Sequence, residues 1–544
     1  MLEVALNEYL DACQGFQIAN PNSISEAHEL IDVIPSTITP ECLANEYTRI
    51  TLLEKKIQRT KAVLEISRNR ASVITPVDSL PAEVLIHILR LVAESESCEL
   101  DPWSPGYGGL PKYPVLLTHV CTRWRRIIID IPLFWSHIDA IPLMHTDERI
   151  RNRTQTFVAR AGHSTLDIHI TTPYPTDEDW EAAGLSRFLV PLVPRMRSLN
   201  LEIIIDENVE DYEVESPTRN FCASILSVCF GPGCVPGTLT RFQLRVDTLV
   251  ACLFLEGVGN VRHDDYLFLD VPAQHLEDIW QHITVLRLKA LFPFWSSTAY
   301  SGLVELRLDG RSYLGGTPIS EHQFANILSS SPRLRVMIID LPITPAITPY
   351  SPVLLADLDT LVLQSRATRA NSLEHIIRLL IPGPKPLHAT IDCKAWSLVE
   401  EDNVTETAKF FSRSNITTLH LLGAGNVSRL IGSVSTIQAL ALTISTREDV
   451  ESLLAGEKPS NLYLQRLHIL NRSRFEFGIN VLSQLVKIYA PLQLLLRGPY
   501  HITRGEVHLT RADEIQQELS NLGCSTEVLL LALPDFKHEP LLLI

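Results

Sequence analysis

The chain has 544 residues, 45% of them hydrophobic and 20% charged, with a net charge of −16. That length accommodates two or more domains or one extended array, and the composition is globular rather than disordered. The acidic excess argues against general binding to nucleic acid or to a membrane surface, both of which need a basic face. No apolar run approaches the thickness of a bilayer, and Met1–Gln14 carry acids with no basic region ahead of an apolar stretch, unlike a secretory signal. The ten cysteines include no C-x-x-C pair, so neither a zinc site nor a disulfide framework is expected. A reducing compartment, cytoplasmic or nuclear, is the expectation.

In chain order, residues 1 to about 40 read as a loose lead-in broken by Asn20-Pro21-Asn22 and by Pro35 and Pro40. From Glu41 to about Arg70, Leu43, Tyr47, Ile50, Leu53, Ile57 and Leu64 recur near heptad spacing between basic residues. That pattern predicts a solvated helix or a short coiled coil. Thr75-Pro76 ends it. Next, Val84, Leu85, Ile88, Leu89 and Val92 mark one face of a helix. Pro81 suits its first turn, and Glu83 suits the positive end of its dipole. After a loop with three glycines and three prolines, from Glu94 to Lys112, Leu116, Val120, Cys121, Trp124 and Ile128 repeat the helical pattern. Pro132-Leu133-Phe134-Trp135 forms a short third segment. Three such helices make a marginal core on their own, and apolar surface left without an internal partner marks a docking site.

The run Leu80-Pro81-x-Glu83-Val84-Leu85-x-x-Ile88, followed by Val120-Cys121-x-x-Trp124-Arg125, resembles the F-box. The trailing Pro132–Trp135 segment is similar to the form found in mushroom-forming fungi. The resemblance covers roughly a tenth of the chain. It implies docking onto a Skp-family adaptor and, through it, onto a cullin–RING ubiquitin ligase. Leu80, Pro81, Glu83, Val84, Ile88, Leu89, Val120, Trp124 and Arg125 are the adaptor-binding positions it implies. The long loop departs from the usual short connection, although closure entropy rises only slowly with loop length.

Beyond a helix over 147–161 that ends at Gly162, Leu166–Ile170 alternates like a strand. Strand-like units then recur at 196–203, 239–246, 283–290, 303–310, 332–339, 358–365, 387–394, 416–423, 437–444 and 464–471, most of them variants of L-x-x-L-x-L. Helix-like segments lie between many of them, with a wider gap around the unit at 239. This is the spacing of a leucine-rich repeat, in which one strand and one helix cannot bury their apolar faces without stacked neighbours. The fold class expected is therefore α/β: an N-terminal helix and a three-helix F-box, followed by an irregular solenoid. Its curved parallel sheet would carry helices on the convex side. Domains are expected at 1–75, 76–140 and 141–544. A doubly wound α/β domain is the alternative, disfavoured because its strands would read as continuous apolar runs, whereas these alternate.

The sequence carries no Walker A motif, no G-x-S-x-G elbow and no H-E-x-x-H. Gly423–Ser428 is a truncated glycine fingerprint best read as a repeat turn, and His263-Asp264-Asp265 is the nearest approach to a metal cluster. No cofactor, no metal and no catalytic residue are expected. Side chains between the repeat leucines face away from the core. There Arg245, Arg287, Lys289, Arg307 and Arg335 suggest a basic stripe for an acidic or phosphorylated segment of an unknown protein target. The expected role is a non-catalytic substrate receptor of a ubiquitin ligase. The alternative is an interaction scaffold that recruits no ligase. Nucleic acid and membrane are not expected partners.

Overall fold

The computed structural model of the chain describes residues 40–70, 77, 80–95, 98, 112–141, 147–173, 179–204, 211–246, 253–258, 266–310, 319–346, 350–364, 372–392, 403–422, 431, 436–444, 446–454, 464–471, 476–497, 501–504 and 507–531. The chain is α/β, built around a large parallel sheet with intervening helices. It divides into two units, residues 1–91 and 92–544.

The first unit holds helix α1 (Pro40–Arg70) and most of α2 (Ala82–Ser95). Among the described side chains of α1, Tyr47, Leu53, Ile57 and Leu64 are all exposed. The hydroxyls of Thr48, Thr51 and Thr60 donate to the carbonyls four residues back. Pro81 stands one position before the first helical residue, and its carbonyl accepts from the Leu85 amide at 3.1 Å. That is the cap position rather than the first turn expected from the sequence.

In the second unit a 3-10 turn over Leu116–His119 leads into α3 (Thr122–Asp130). The Cys121 sulfur caps α3 by accepting from the Trp124 amide. A second 3-10 turn, Pro132–Trp135, follows. It places Trp135 in the interior at 1% exposure, its indole N–H donating to the Ile128 carbonyl at 2.8 Å. Phe157 of α4 (Glu148–Ala161) meets that ring edge-on at 5.0 Å, and the Arg160 guanidinium lies 4.2 Å over it. Asp147 caps α4 through the Arg149 amide, and Gly162 ends it with a φ of +54°, which favours glycine.

Among the described residues the main sheet has fourteen strands. They are β1 (His137–Ala140), β2 (Leu166–Pro173), β3 (Met196–Ile204), β4 (Arg241–Val246), β5 (Val285–Lys289), β6 (Glu305–Asp309) and β7 (Val336–Asp340). The second half is β8 (Thr360–Leu363), β9 (Leu387–Asp392), β10 (Ile416–Leu422), β11 (Ala439–Ile444), β12 (Arg466–Asn471), β13 (Gln493–Arg497) and β14 (Glu527–Leu531). All pairings are parallel, and each strand bonds to the one before and the one after it. The repeat leucines of these strands, such as Leu286, Leu288, Leu306 and Leu308, are fully buried or nearly so.

The strand units expected from 196 to 471 all lie in this sheet. The sheet also begins earlier than the boundary expected at 141, because His137–Ala140 already pairs with β2. The wide gap around 239 holds a sheet of its own, with Leu253–Val258 between Tyr266–Pro272 and Leu291–Pro293. One expectation is corrected. Strands β3 to β6 alternate in burial, whereas β8 and β11 are buried at every position. Val362 and Ala441, on the face opposite the repeat leucines, are each 1% exposed, and Ala441 packs with Leu422 and Leu470. Apolar residues stand on both faces of these strands, as in doubly covered parallel sheets.

At the start of the helix Glu321–Ser330, Glu321 is completely buried and held by Arg378 and by the Ala346 amide at 3.0 Å. Among the described residues no helix is long and apolar enough to cross a membrane.

Candidate functional site

The adaptor-binding positions separate by exposure. On α2, Val84, Ile88 and Leu91 are exposed at spacings of four and three, while Leu85 and Leu89 are fully buried. Pro81 and Glu83 are exposed and Leu80 is half-buried. Leu89 is thus corrected from a docking position to an interior one. In the second unit Val120 is 58% exposed, with Leu116 and Leu133 also open to solvent. Trp124 is half-buried, and the exposed Arg125 donates from Nε to the Thr118 carbonyl at 2.9 Å.

The basic stripe assembles in space but not as a free positive patch. Register sets Gln243 beside Arg287 and Arg287 beside Arg307, with Arg245 beside Lys289 and Lys289 beside Asp309. Glu305 lies on the same strand face. It accepts from Arg287 at 2.8 and 3.1 Å and from Arg307 at 2.5 Å. Arg335 pairs with Asp359 at 2.6 Å, and Arg245 acts electrostatically on Glu202, its register neighbour. The expected open stripe is corrected: acids of adjacent strands meet its charge.

A site the sequence reading missed sits at the other end of the sheet. His137 and Asp139 alternate on β1 and so share a face, and register places His169 of β2 directly beside Asp139. The Cys98 sulfur reaches both, 2.9 Å from Asp139 Oδ1 and 3.0 Å from His169 Nδ1. His137 Nε2 lies 2.9 Å from the same carboxylate oxygen, and His169 Nδ1 lies 3.7 Å from it. All four donor atoms fall within 4.8 Å of one another.

The surroundings orient these groups. His169 Nε2 is 2.9 Å from the Thr171 hydroxyl and 3.8 Å from Glu202. Arg153 approaches the second Asp139 oxygen at 3.6 Å, and the Thr154 hydroxyl donates to the Asp139 carbonyl. Asp139 and His169 are almost fully buried, whereas the His137 side chain is 41% exposed and leaves one side open. Burial disfavours the Asp139 charge, but hydrogen bonds from His137 and His169 more than offset it and hold the carboxyl well below its usual range. Burial likewise opposes charge on His169, and its bonds to Asp139, Cys98 and Glu202 prevail, raising it well above an ordinary histidine. Glu202 is pulled down to about 2, its burial outweighed mainly by His169. The one sequence signal for this site was His137-x-Asp139 at strand spacing.

The lead-in before residue 40, most of the loop between Glu94 and Lys112, His263–Asp265 and Gly423–Ser428 lie outside the described residues. No protein-family model matches the chain, and no curated protein is detectably similar to it.

Proposed function

We propose that this protein is a substrate receptor of a cullin–RING ubiquitin ligase, with an F-box-like segment that docks a Skp-family adaptor and a leucine-rich-repeat solenoid that binds the target. The observation that carries the reading is helix α2, which is apolar on two faces. Leu85 and Leu89 are buried, while Val84, Ile88 and Leu91 remain exposed as a second stripe. An amphipathic helix needs only one apolar face for its own fold, and an exposed second one is suited to a partner's groove. Leu116, Val120 and Leu133 add exposed apolar side chains in the next segments.

The sheet supports the same reading. Open α/β sheets bind small ligands where the strand order reverses, and the fourteen-strand order has no reversal. What it offers is a row of outward side chains on the consecutive strands β3 to β6, the arrangement in which a solenoid binds a protein. In this reading the sheet is curved, with helices on its convex side, the compartment is cytoplasmic or nuclear, and the ligase chemistry belongs to other subunits.

Affinity purification with quantitative mass spectrometry tests the proposal. The wild-type chain should recover adaptor and cullin. A Val84→Glu/Ile88→Glu double variant, still folded by circular dichroism, should recover neither. Undiminished adaptor recovery by the folded double variant rejects the F-box-like docking through α2, and a wild-type chain that never recovers adaptor rejects the ligase reading in favour of a scaffold.

A further inference from the structure

We infer that Cys98, His137, Asp139 and His169 form a zinc-binding site that fastens the segment bearing Cys98 to the first two strands of the sheet. The donor set is one sulfur, two imidazole nitrogens and one carboxylate oxygen. These are the ligand types that borderline-soft Zn²⁺ takes in tetrahedral sites. Bonds of about 2.0–2.3 Å to such an ion hold its donors roughly 3.3–3.7 Å apart. Here the donor contacts run from 2.9 to 3.7 Å, and no pair of the four exceeds 4.8 Å.

The close contacts converge on two shared atoms, the Cys98 sulfur and Asp139 Oδ1. The Cys98 sulfur touches both Asp139 Oδ1 and His169 Nδ1. Asp139 Oδ1 in turn faces three of the other donors. If His169 keeps its proton on Nε2, toward Thr171 and Glu202, then Nδ1 presents a lone pair to the sulfur. Lone pairs then point at a common centre. A divalent ion there forms a bond to the sulfur as the thiol proton leaves to solvent. Thiolate and carboxylate together balance its charge.

The surroundings are those of a built site. Metal-bound histidines commonly give their second nitrogen to a hydroxyl or carboxylate, which fixes the ring, and His169 has both partners within reach. Four protein donors complete a tetrahedral shell and leave no open position for a reacting water, so the role is structural rather than catalytic. Because a metal that binds only the folded form stabilises it, the ion would lock β1 and β2 to the segment just beyond α2.

The test uses the full-length chain. After equilibration with zinc chloride and desalting, elemental analysis should find one zinc per chain. Cobalt chloride added to the metal-free protein should give the intense visible bands of tetrahedral Co²⁺ and a near-ultraviolet sulfur-to-cobalt band. Zinc should abolish both and should protect Cys98 from iodoacetamide. Cys98→Ser should lose the sulfur band, and His137→Gln, at the exposed ligand, should weaken zinc binding by about 100-fold or more. Either of two wild-type results overturns the inference, whether or not the variants fold. One is a protein that retains no zinc and gives only the weak octahedral cobalt spectrum. The other is a Cys98 that alkylates equally fast with and without zinc.

Discussion

The Arg287 guanidinium on β5 meets the Glu305 carboxylate on β6 in a forked pair, Nε to Oε1 at 2.8 Å and the terminal nitrogen to Oε2 at 3.1 Å. Arg307, on the same strand as Glu305 and directly beside Arg287 by register, shares Oε1. One carboxylate therefore separates two guanidiniums that would otherwise repel each other.

Glu305→Gln should lower stability by roughly 1–3 kcal/mol, because it removes charge-assisted hydrogen bonds and leaves two like charges adjacent. Arg335→Ala should leave stability nearly unchanged, since that side chain is 58% exposed. Urea unfolding of both variants checks the contrast. Burial opposes the Glu305 charge and the two arginines outweigh it, so its folded pKa lies below its ordinary 4.5. Its contribution is then complete above pH 4.5 and lost as pH falls through the lowered value.

Of the two tryptophans between Thr122 and Trp135, Trp135 rather than Trp124 should carry the stability. Trp135 is 1% exposed and hydrogen-bonded to Ile128, while Trp124 is half-buried. Trp135→Ala should cost about 3–5 kcal/mol, and Trp124→Ala clearly less. Thermal unfolding of the two variants, compared with wild type, decides the order; a larger loss at Trp124 would place the core of this segment elsewhere.

His468 on β12 should make the protein sensitive to mild acid. It is 8% exposed, and burial, with Arg497 and Arg466 nearby, lowers its pKa from 6.5 to about 4. The folded state thus resists a proton that the unfolded chain takes up near pH 6.5. Stability is intact above pH 6.5 and declines as pH falls toward 4, by up to about 3 kcal/mol. His468→Gln should flatten the stability profile over that window, as measured by denaturant midpoints from pH 7 to 4.

The strands were legible because a period of two in L-x-x-L-x-L states both the element and the buried face. The same rule places Glu305, Arg307 and Asp309 on one face, so the acids among the basic residues were also readable from the alternation; counting arginines alone hid them. The burial of Val362 and Ala441 was not readable, because it depends on what packs across the face rather than on the strand itself. Nor was the zinc-ligand set. Cys98 stands 41 residues from Asp139 and 71 from His169, and only strand register and the return of the Cys98 segment bring them together.

Because strand order equals chain order throughout the main sheet, position in the sequence is also position along the row. Inserting or deleting one complete strand-and-return unit would shift every later side chain by one place without altering any other pairing. Such a molecule can change the length and lettering of that row by gaining or losing whole modules. A sheet whose strand order reverses lacks that freedom, because each module there sits between fixed, non-consecutive neighbours.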